Sequence, residues 1–145
     1  MLYHPSPLYG MRQMTMHKGS CLCGAVSFEL KTEPRAPTHC HCRMCQKQHG
    51  AAFASYASIL KSDLTYLSGE DLLASYNSSA SIMRRFCSRC GSNIEWSGSE
   101  RYPDWVSITL ASLDTPFKPE RAEDVHLESA ACWLAGPYQG AATTR

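Results

Sequence analysis

The sequence predicts an all-β domain with little helix. Short segments in which apolar and polar residues alternate recur between turn signals, and no long segment has the 3.6-residue period of an amphipathic helix. Of the 145 residues, 43% are hydrophobic and 10% are aromatic, while the formal net charge is only +1. A disordered chain would combine few apolar residues with a high net charge, so this composition indicates a packed core.

The strands can be predicted in order along the chain. The first is the best defined, because Val26, Phe28 and Leu30 alternate with polar residues and so form one apolar face. Further strands are predicted from similar runs at 53–60, 64–67, 72–76, 82–87, 94–96, 106–110 and 125–127.

The segments between these strands carry loop and helix signals. A loop is expected at 31–39, where two prolines interrupt the pattern, and others at 97–104 and 114–121. Residues 43–49 are predicted to form one short helical turn. The alternation of many short strands with turns, almost without helix, is typical of an all-β domain.

The chain is expected to form a single domain. Residues 17–135 are predicted to fold, between a flexible N-terminal tail at 1–16 and a flexible C-terminal tail at 136–145. Positive and negative residues nearly balance, at 14 and 13, so no nucleic acid or membrane partner is expected. No apolar run approaches the length of about 20 residues that a membrane helix needs, and no signal peptide is evident. We therefore expect a cytoplasmic protein.

The cysteines are grouped in a way that indicates metal binding. Seven of the eight lie within three residues of another cysteine, in C-x-C, C-x-C-x-x-C and C-x-x-C patterns. Disulfides would have to join distant pairs such as Cys21 and Cys87, which is unfavourable in a reducing compartment. Clustered cysteines in such a chain indicate a metal site or redox chemistry. The eight are Cys21, Cys23, Cys40, Cys42, Cys45, Cys87, Cys90 and Cys132.

Two of the patterns add up to a complete zinc site. Zinc prefers four tetrahedral ligands, and a two-cysteine turn presents two sulfurs to one ion. Gly24 and Gly91 follow the two turns, where the chain must bend sharply and a glycine can take a positive φ. The predicted ligands of this structural zinc are Cys21, Cys23, Cys87 and Cys90.

The remaining pattern supplies three ligands and leaves one position open, as catalytic zinc sites do. These are Cys40, Cys42 and Cys45. Three thiolates would leave the site with a net charge of −1, which favours activation of a substrate thiol over activation of water. Spacing alone leaves other arrangements open. Cys21 and Cys23 could pair with Cys40 and Cys42, or a fourth ligand could close the second site, the candidates being Cys132, His39, His41 and His49.

The order of motifs resembles the glutathione-dependent formaldehyde-activating enzyme family, whose domain also occurs in centromere protein V. The resemblance extends from about His17 to Trp133. Two departures are Gln46, where many members carry arginine, and Cys132, where a proline is common. The motifs are G-S-C-L-C-G at 19–24, H-C-H-C-R-M-C at 39–45, F-C-S-R-C-G at 86–91, L-D-x-P at 113–116 and V-H-L at 125–127 followed by Trp133.

This resemblance implies several small, coiled antiparallel sheets organised around zinc. It implies two zinc ions per chain, divided between the same two cysteine groups. The implied activity is that of a carbon–sulfur lyase that joins formaldehyde to glutathione. The zinc on Cys40, Cys42 and Cys45 would take the glutathione sulfur, which then attacks the aldehyde carbon. The implied partners are a small-molecule thiol and an aldehyde.

Two other function classes are compatible with the cysteines. A zinc-binding interaction module without catalysis is the alternative, and it would be favoured if a fourth ligand closed the second site. A redox enzyme would need a nucleophilic cysteine outside the clusters, and only Cys132 is available.

The other polar and aromatic candidates are predicted to have structural roles. Cys132 is interpreted as a small buried hydrophobe and His41 as a loop residue that faces away from the metal. His126 is expected in a strand. A solvated strand face is expected for Arg84, Arg85 and Arg89, and mostly core positions for Trp96, Trp105 and Trp133.

Overall fold

The computed structural model describes residues 17–136 and confirms the all-β prediction. The predicted tails at 1–16 and 136–145 lie outside the described residues, apart from Gly136. The described chain contains ten strands, one α-helix and four single 3₁₀ turns. The strands are β1 (His17–Ser20), β2 (Ser27–Leu30), β3 (Arg35–Cys40), β4 (Ala54–Leu60), β5 (Leu64–Ser68), β6 (Leu73–Asn77), β7 (Met83–Cys87), β8 (Asn93–Ser97), β9 (Trp105–Thr109) and β10 (Glu123–Val125); the helix is α1 (Arg43–His49).

The strands form two sheets. A three-stranded antiparallel sheet has the order β1-β2-β5, and a seven-stranded sheet has the order β10-β3-β4-β9-β8-β7-β6. Every pair in the larger sheet is antiparallel except β10 and β3, which run parallel. Helix α1 occupies the connection between β3 and β4, as the short helical turn at 43–49 predicted.

The main core contains apolar residues from both sheets. Phe28 and Leu30 on β2 and Val26 just before that strand, the predicted alternating face, are completely buried. They belong to one cluster with the inward-facing residues of the larger sheet, which are Ile59, Ile94, Val106 and Ile108. Burial of a large aliphatic or aromatic side chain contributes about 1.5–3 kcal/mol, so this cluster is the principal source of apolar stabilisation.

A buried carboxylate joins the two sheets. Glu95 on β8 is only 7% exposed, and its Oε2 accepts hydrogen bonds from the Tyr66 hydroxyl at 2.7 Å and from Arg85 Nη1 at 3.2 Å. Burial and the neighbouring Glu95 carboxylate raise the pKa of Tyr66 above its usual value, so the phenol remains a donor. The paired Arg85 compensates the charge that would otherwise be buried alone.

The opposite face of the larger sheet carries a row of polar and aromatic side chains. Direct pairing across β4, β9, β8 and β7 places Ser58 opposite Ser107, Ser107 opposite Trp96, and Trp96 opposite Arg84. Side chains alternate along a strand, and the neighbours Ile59 and Ile108 belong to the core. This row therefore faces away from the core.

The structure differs from the predicted elements in three places. The loop predicted at 31–39 is wrong from Arg35 onward, because β3 begins there. Pro37 lies where the register between β3 and β4 shifts, which is where a sheet tolerates proline. Strand β1 was not predicted. The last strand ends at Val125 and not at residue 127, because His126 takes a left-handed backbone conformation with φ of 59°.

Candidate metal and active site

The first candidate site is the four-cysteine cluster, formed by Cys21, Cys23, Cys87 and Cys90. Their sulfur atoms all lie within 4.8 Å of one another. Cys21 Sγ is 3.5 Å from Cys23 Sγ, which is 3.9 Å from Cys87 Sγ. Four sulfurs around a zinc ion at about 2.3 Å would be separated by about 3.8 Å. The cluster therefore has the dimensions of a tetrahedral thiolate site.

Two similar backbone turns form this cluster. Gly24 N donates to Cys21 O at 3.0 Å, and Gly91 N donates to Cys87 O at 2.8 Å. The φ angles of the two glycines are 77° and 80°, as their place after the cysteine pairs predicted. One turn follows β1 and the other joins β7 to β8, so the cluster links the smaller sheet to the larger.

Hydrogen bonds distribute the protons of this cluster unequally. The hydroxyl and backbone N–H of Ser92 lower the pKa of Cys90 to about 5. Burial opposes ionisation of Cys21. The Val26 N–H donates to Cys21 Sγ at 3.3 Å, and together with the neighbouring thiols this bond holds the pKa of Cys21 below its usual value. Cys90 and Cys21 therefore ionise more easily than ordinary thiols, so a cation can bind them with a smaller free-energy cost of deprotonation.

The second candidate site is the three-cysteine cluster, formed by Cys40, Cys42 and Cys45. Cys40 ends β3, Cys42 is the N-cap of α1, and Cys45 lies in the first turn of that helix. Their sulfurs lie within 4.8 Å of one another. Cys45 N donates to Cys42 Sγ at 3.3 Å, so the helix N-terminus fixes two of the three side chains.

No fourth ligand joins this group within residues 17–136. No histidine, carboxylate or further cysteine of that stretch lies close enough to all three sulfurs to complete the set. The fold does not bring Cys40 and Cys42 together with Cys21 and Cys23, so it excludes this alternative grouping. Cys132 is exposed and outside both clusters, so its interpretation as a buried hydrophobe is wrong.

Arg84 lies directly behind the three-cysteine cluster. Its Nη1 and Nη2 atoms lie 3.7 and 3.8 Å from Cys45 Sγ, while Nε donates to Ser78 and Nη1 to Gln48. Arg84 is only 4% exposed, so the predicted solvated position is wrong. Although its burial opposes the charge, the contact with Cys45 raises the pKa of Arg84, and the guanidinium supplies a fixed positive charge to the sulfurs.

The three thiols themselves have different proton affinities. The pKa of the Cys45 thiol is raised. Its hydrogen bond to Cys40 holds the thiol proton, and its burial disfavours the charged form. The same hydrogen bond lowers the pKa of Cys40. The cluster thus has one sulfur that ionises readily next to one that retains its proton.

His41 and Gln46 join the cysteine segment to residues 124–129. His41 is completely buried, its Nε2 lies 2.8 Å from Asp124 Oδ1 on β10, and its ring lies against Phe53. His41 thus lies in the connection between β3 and α1 and outside the three-cysteine cluster, and it is buried in the fold. Gln46 Nε2 donates to the carbonyl oxygens of His41 and Ser129 at 2.6 and 2.8 Å. These bonds fix the position of the three-cysteine cluster.

A second pair of polar side chains packs beside the cluster. Tyr56, which is 7% exposed, packs with Cys45, and its hydroxyl lies 2.8 Å from His49 Nε2. Burial and then the nearby Arg84 lower the pKa of His49 to about 4, so the imidazole is neutral at neutral pH. Burial, followed by the charge of Cys45, raises the pKa of Tyr56. Both groups are neutral at neutral pH, so the Tyr56 phenol holds a proton and the His49 imidazole can accept one.

The three-cysteine cluster opens into a cavity of about 340 Å³. All three cysteines line it, together with Tyr56 and Arg84. His126 also lines this cavity, with 58% of its side chain exposed, and the predicted strand position of His126 is wrong because β10 ends at Val125. Trp133 is 65% exposed and is not the core residue that was predicted, whereas Arg89 is exposed as expected.

A comparison with known families decides where this chain belongs. The family model described as glutathione-dependent formaldehyde-activating enzyme matches residues 16–129. The chain belongs to this family. A Halomonas elongata protein named "Putative glutathione-dependent formaldehyde-activating enzyme" is 32% identical over 127 residues, which cover 81% of this chain and 78% of that protein.

Two further proteins are similar to this member of the glutathione-dependent formaldehyde-activating enzyme family. A Schizosaccharomyces pombe protein named as an uncharacterized lyase is 27% identical over 81 residues, which cover 56% of this chain and 57% of that protein. The crystal structure of a Rhodobacter sphaeroides protein superposes with a TM-score of 0.61 at 24% identity, covering 74% of this chain and 99% of that one. This last likeness shows the fold alone.

Some site features of this family member were not predicted from its sequence. Arg84 occupies an alternating strand segment, where nothing in the pattern distinguishes a buried arginine from an exposed one. The pair of His49 and Tyr56 spans a helix end and a strand, and only the fold brings these residues together.

Among residues 17–136, no helix has the length and apolar character needed to cross a membrane.

Proposed function

We propose that this chain is a zinc-dependent carbon–sulfur lyase that joins or splits a low-molecular-weight thiol and an aldehyde at the three-cysteine cluster. The observation that carries this proposal is the incomplete ligand set at the base of a cavity. The family membership and the names of two relatives, an enzyme acting on formaldehyde with glutathione and a lyase, support the same reaction class. The four-cysteine cluster would hold a structural zinc.

The residues present fit zinc at both places. Thiolate sulfur is the commonest ligand of structural zinc, and the spacing of the four-cysteine cluster suits a tetrahedron. Arg84 offsets the charge that three thiolates would concentrate in a buried position. Zinc held by Cys40, Cys42 and Cys45 would supply one further coordination position, which favours a thiolate at neutral pH.

The reaction itself is a redox-neutral addition. A carbon–sulfur bond forms between the thiol sulfur and the carbonyl carbon, and the π electron pair of the carbonyl moves to its oxygen. The thiol loses one proton and that oxygen gains one, so the product is a hemithioacetal; the reverse reaction breaks the same bond. The chain must therefore hold the two reactants together and exchange a proton at one oxygen atom.

The cavity walls supply groups for these tasks. Arg84 holds Cys45 in place through two contacts and is itself held by Ser78 and Gln48, so it acts as a positioning residue. We assign the Tyr56 hydroxyl the role of donor to the carbonyl oxygen, with His49 Nε2 as its proton partner. Both groups are neutral at neutral pH, which avoids a second positive charge beside the Arg84 guanidinium.

The proposal is tested by zinc analysis together with a lyase assay. Protein purified under reducing conditions is expected to contain two zinc ions per chain, one for each cluster. It should accelerate exchange between free ¹³C-formaldehyde and its glutathione adduct, as measured by NMR line broadening. Two zinc ions without faster exchange, with glutathione or with other small thiols, would contradict the lyase and favour the zinc-binding interaction module.

Replacing Arg84 should weaken metal binding at one cluster selectively. Arg84→Met removes the charge next to Cys45 and is expected to lower zinc affinity at the three-cysteine cluster by about 10–100-fold, the range found for groups that support metal ligands. Competition with a chelating dye measures this affinity. Arg89→Met is the matched control, since Arg89 is exposed next to the other cluster. Equal affinities in the wild type and Arg84→Met would show that Arg84 only fills space.

A further inference from the structure

A second cavity lies next to the three-cysteine cluster on the same face of the larger sheet. It measures about 540 Å³, within the range of about 300–1,000 Å³ typical of small-molecule sites. Trp96 and Ser107 line both this cavity and the smaller one that contains the cysteines. The two cavities are therefore adjacent, and the paired positions Trp96 and Ser107 belong to the walls of both.

The walls of the second cavity include three aromatic side chains. Trp96, Trp105 and Tyr102 line it, and the small side chains of Ser58 and Ser107 form part of its lining between β4 and β9. Tyr102 is 53% exposed, so it lies at the open side of the cavity. Aromatic walls with a small-residue base suit a flat ring, which can stack on or contact them edge to face.

The charges around the two cavities argue against a strongly charged occupant. Among the described lining residues, each cavity has a single cation and no carboxylate. Arg84 is already bonded to Cys45, Ser78 and Gln48. Arg35, which lines the second cavity, lies over the Trp105 ring with its Cζ atom 5.7 Å from the ring centroid. Glutathione carries two carboxylates and an ammonium group, and no lining carboxylate is available to pair with that ammonium.

We propose that this second cavity, the aromatic subsite, binds the organic substituent of the substrate, and that this substituent is an aromatic ring or a similar neutral planar group. The inference rests on the proposed function for the reacting end, which would lie at the three-cysteine cluster while the ring extends past Trp96 and Ser107. The substrate class is therefore an aryl-bearing thiol or aldehyde, or their adduct.

The test compares ligands that share one end of this substrate. Zinc-loaded protein is titrated with 2-phenylethanethiol, 2-mercaptoethanol, glutathione and 2-phenylethanol, the last lacking sulfur. Tryptophan fluorescence and saturation-transfer NMR report binding. We expect 2-phenylethanethiol to bind on the order of tenfold more tightly than 2-mercaptoethanol or glutathione, because only it fills both cavities. The ring of 2-phenylethanol should receive saturation transfer although that ligand cannot bind zinc as a thiolate.

Two variants locate the binding of the ring. Tyr102→Ala removes one aromatic wall, and Ser107→Leu enlarges a side chain that belongs to the walls of both cavities; both should reduce the preference for 2-phenylethanethiol over 2-mercaptoethanol. Tyr76→Ala is the matched control, since Tyr76 is 61% exposed and lines neither cavity.

The outcomes separate this inference from the proposed function. Equal affinity for 2-phenylethanethiol and glutathione, or an undiminished preference in both variants, would overturn the aromatic subsite and leave the lyase intact. Binding of 2-phenylethanol that is lost in Ser107→Leu, with no thiol binding through its sulfur, would support the subsite and contradict the lyase.

Discussion

Replacing Cys87 by serine is expected to unfold the domain. Cys87 is completely buried, belongs to the main apolar core and also contributes to the four-cysteine cluster. Structural zinc sites of this kind contribute on the order of 10–16 kcal/mol of binding free energy, comparable with a domain stability of about 5–15 kcal/mol. Losing one thiolate ligand and burying a serine hydroxyl in its place should therefore remove most of the stability.

Circular dichroism and urea unfolding measure this effect directly. Cys87→Ser should lack a cooperative transition, and a chelator strong enough to remove both zinc ions should produce the same state in the wild type. Cys132→Ser is the control, because Cys132 is exposed and outside both clusters. If Cys87→Ser kept the wild-type unfolding midpoint while binding one zinc fewer, the four-cysteine cluster would have no structural role.

Replacing Cys42 by serine is expected to abolish the lyase reaction and leave the domain folded. The three-cysteine cluster lies in a separate, smaller apolar group outside the main core. Cys42 is also the N-cap of α1, and serine is among the best residues at that position, so the helix should be preserved. The change of N-cap residue itself should therefore alter the free energy of unfolding by no more than about 1 kcal/mol.

The measured result for Cys42→Ser should be one zinc ion per chain, a retained unfolding transition and exchange of the formaldehyde adduct at the uncatalysed rate. Comparison with Cys87→Ser makes the experiment decisive, because the two variants remove one thiol each from different clusters. Two variants that both unfold, or that both stay folded and active, would contradict the division into a structural and a catalytic site.

Local sequence signals predicted several of the elements near the cysteines. The alternation of Val26, Phe28 and Leu30 identified β2, and the short helix at 43–49 has the bounds that were predicted. The glycines after the two cysteine pairs have the positive φ that their turns require. The spacing of the cysteines also offered, as one of several groupings, the one that the fold brings together.

Other features depended on contacts between distant residues. Strand β3 pairs with β10, which lies more than 80 residues later in the chain. Pro37 in β3 is a loop signal in the sequence, and only the pairing and the register shift of the strand show why a sheet accepts it. The buried His41 pairs with Asp124, which lies 83 positions later in the chain. Arg84 occupies an ordinary strand position until α1 brings Cys45 next to it. A sequence pattern records local period and spacing, and none of these contacts is local.

The four-cysteine cluster also affects the order in which this chain can mature during synthesis. Cys23 and Cys87 are 64 positions apart. At synthesis rates of about 5–20 residues per second, the first pair of thiols is made about 3–13 s before the second pair. During that interval Cys21 and Cys23 have no partners with which to enclose a metal ion, and Leu22 between them is 86% exposed even in the folded protein. The four-cysteine cluster can link the two sheets only after Cys90 has left the ribosome, so the metal binding proposed for this cluster would come late in the synthesis of each copy.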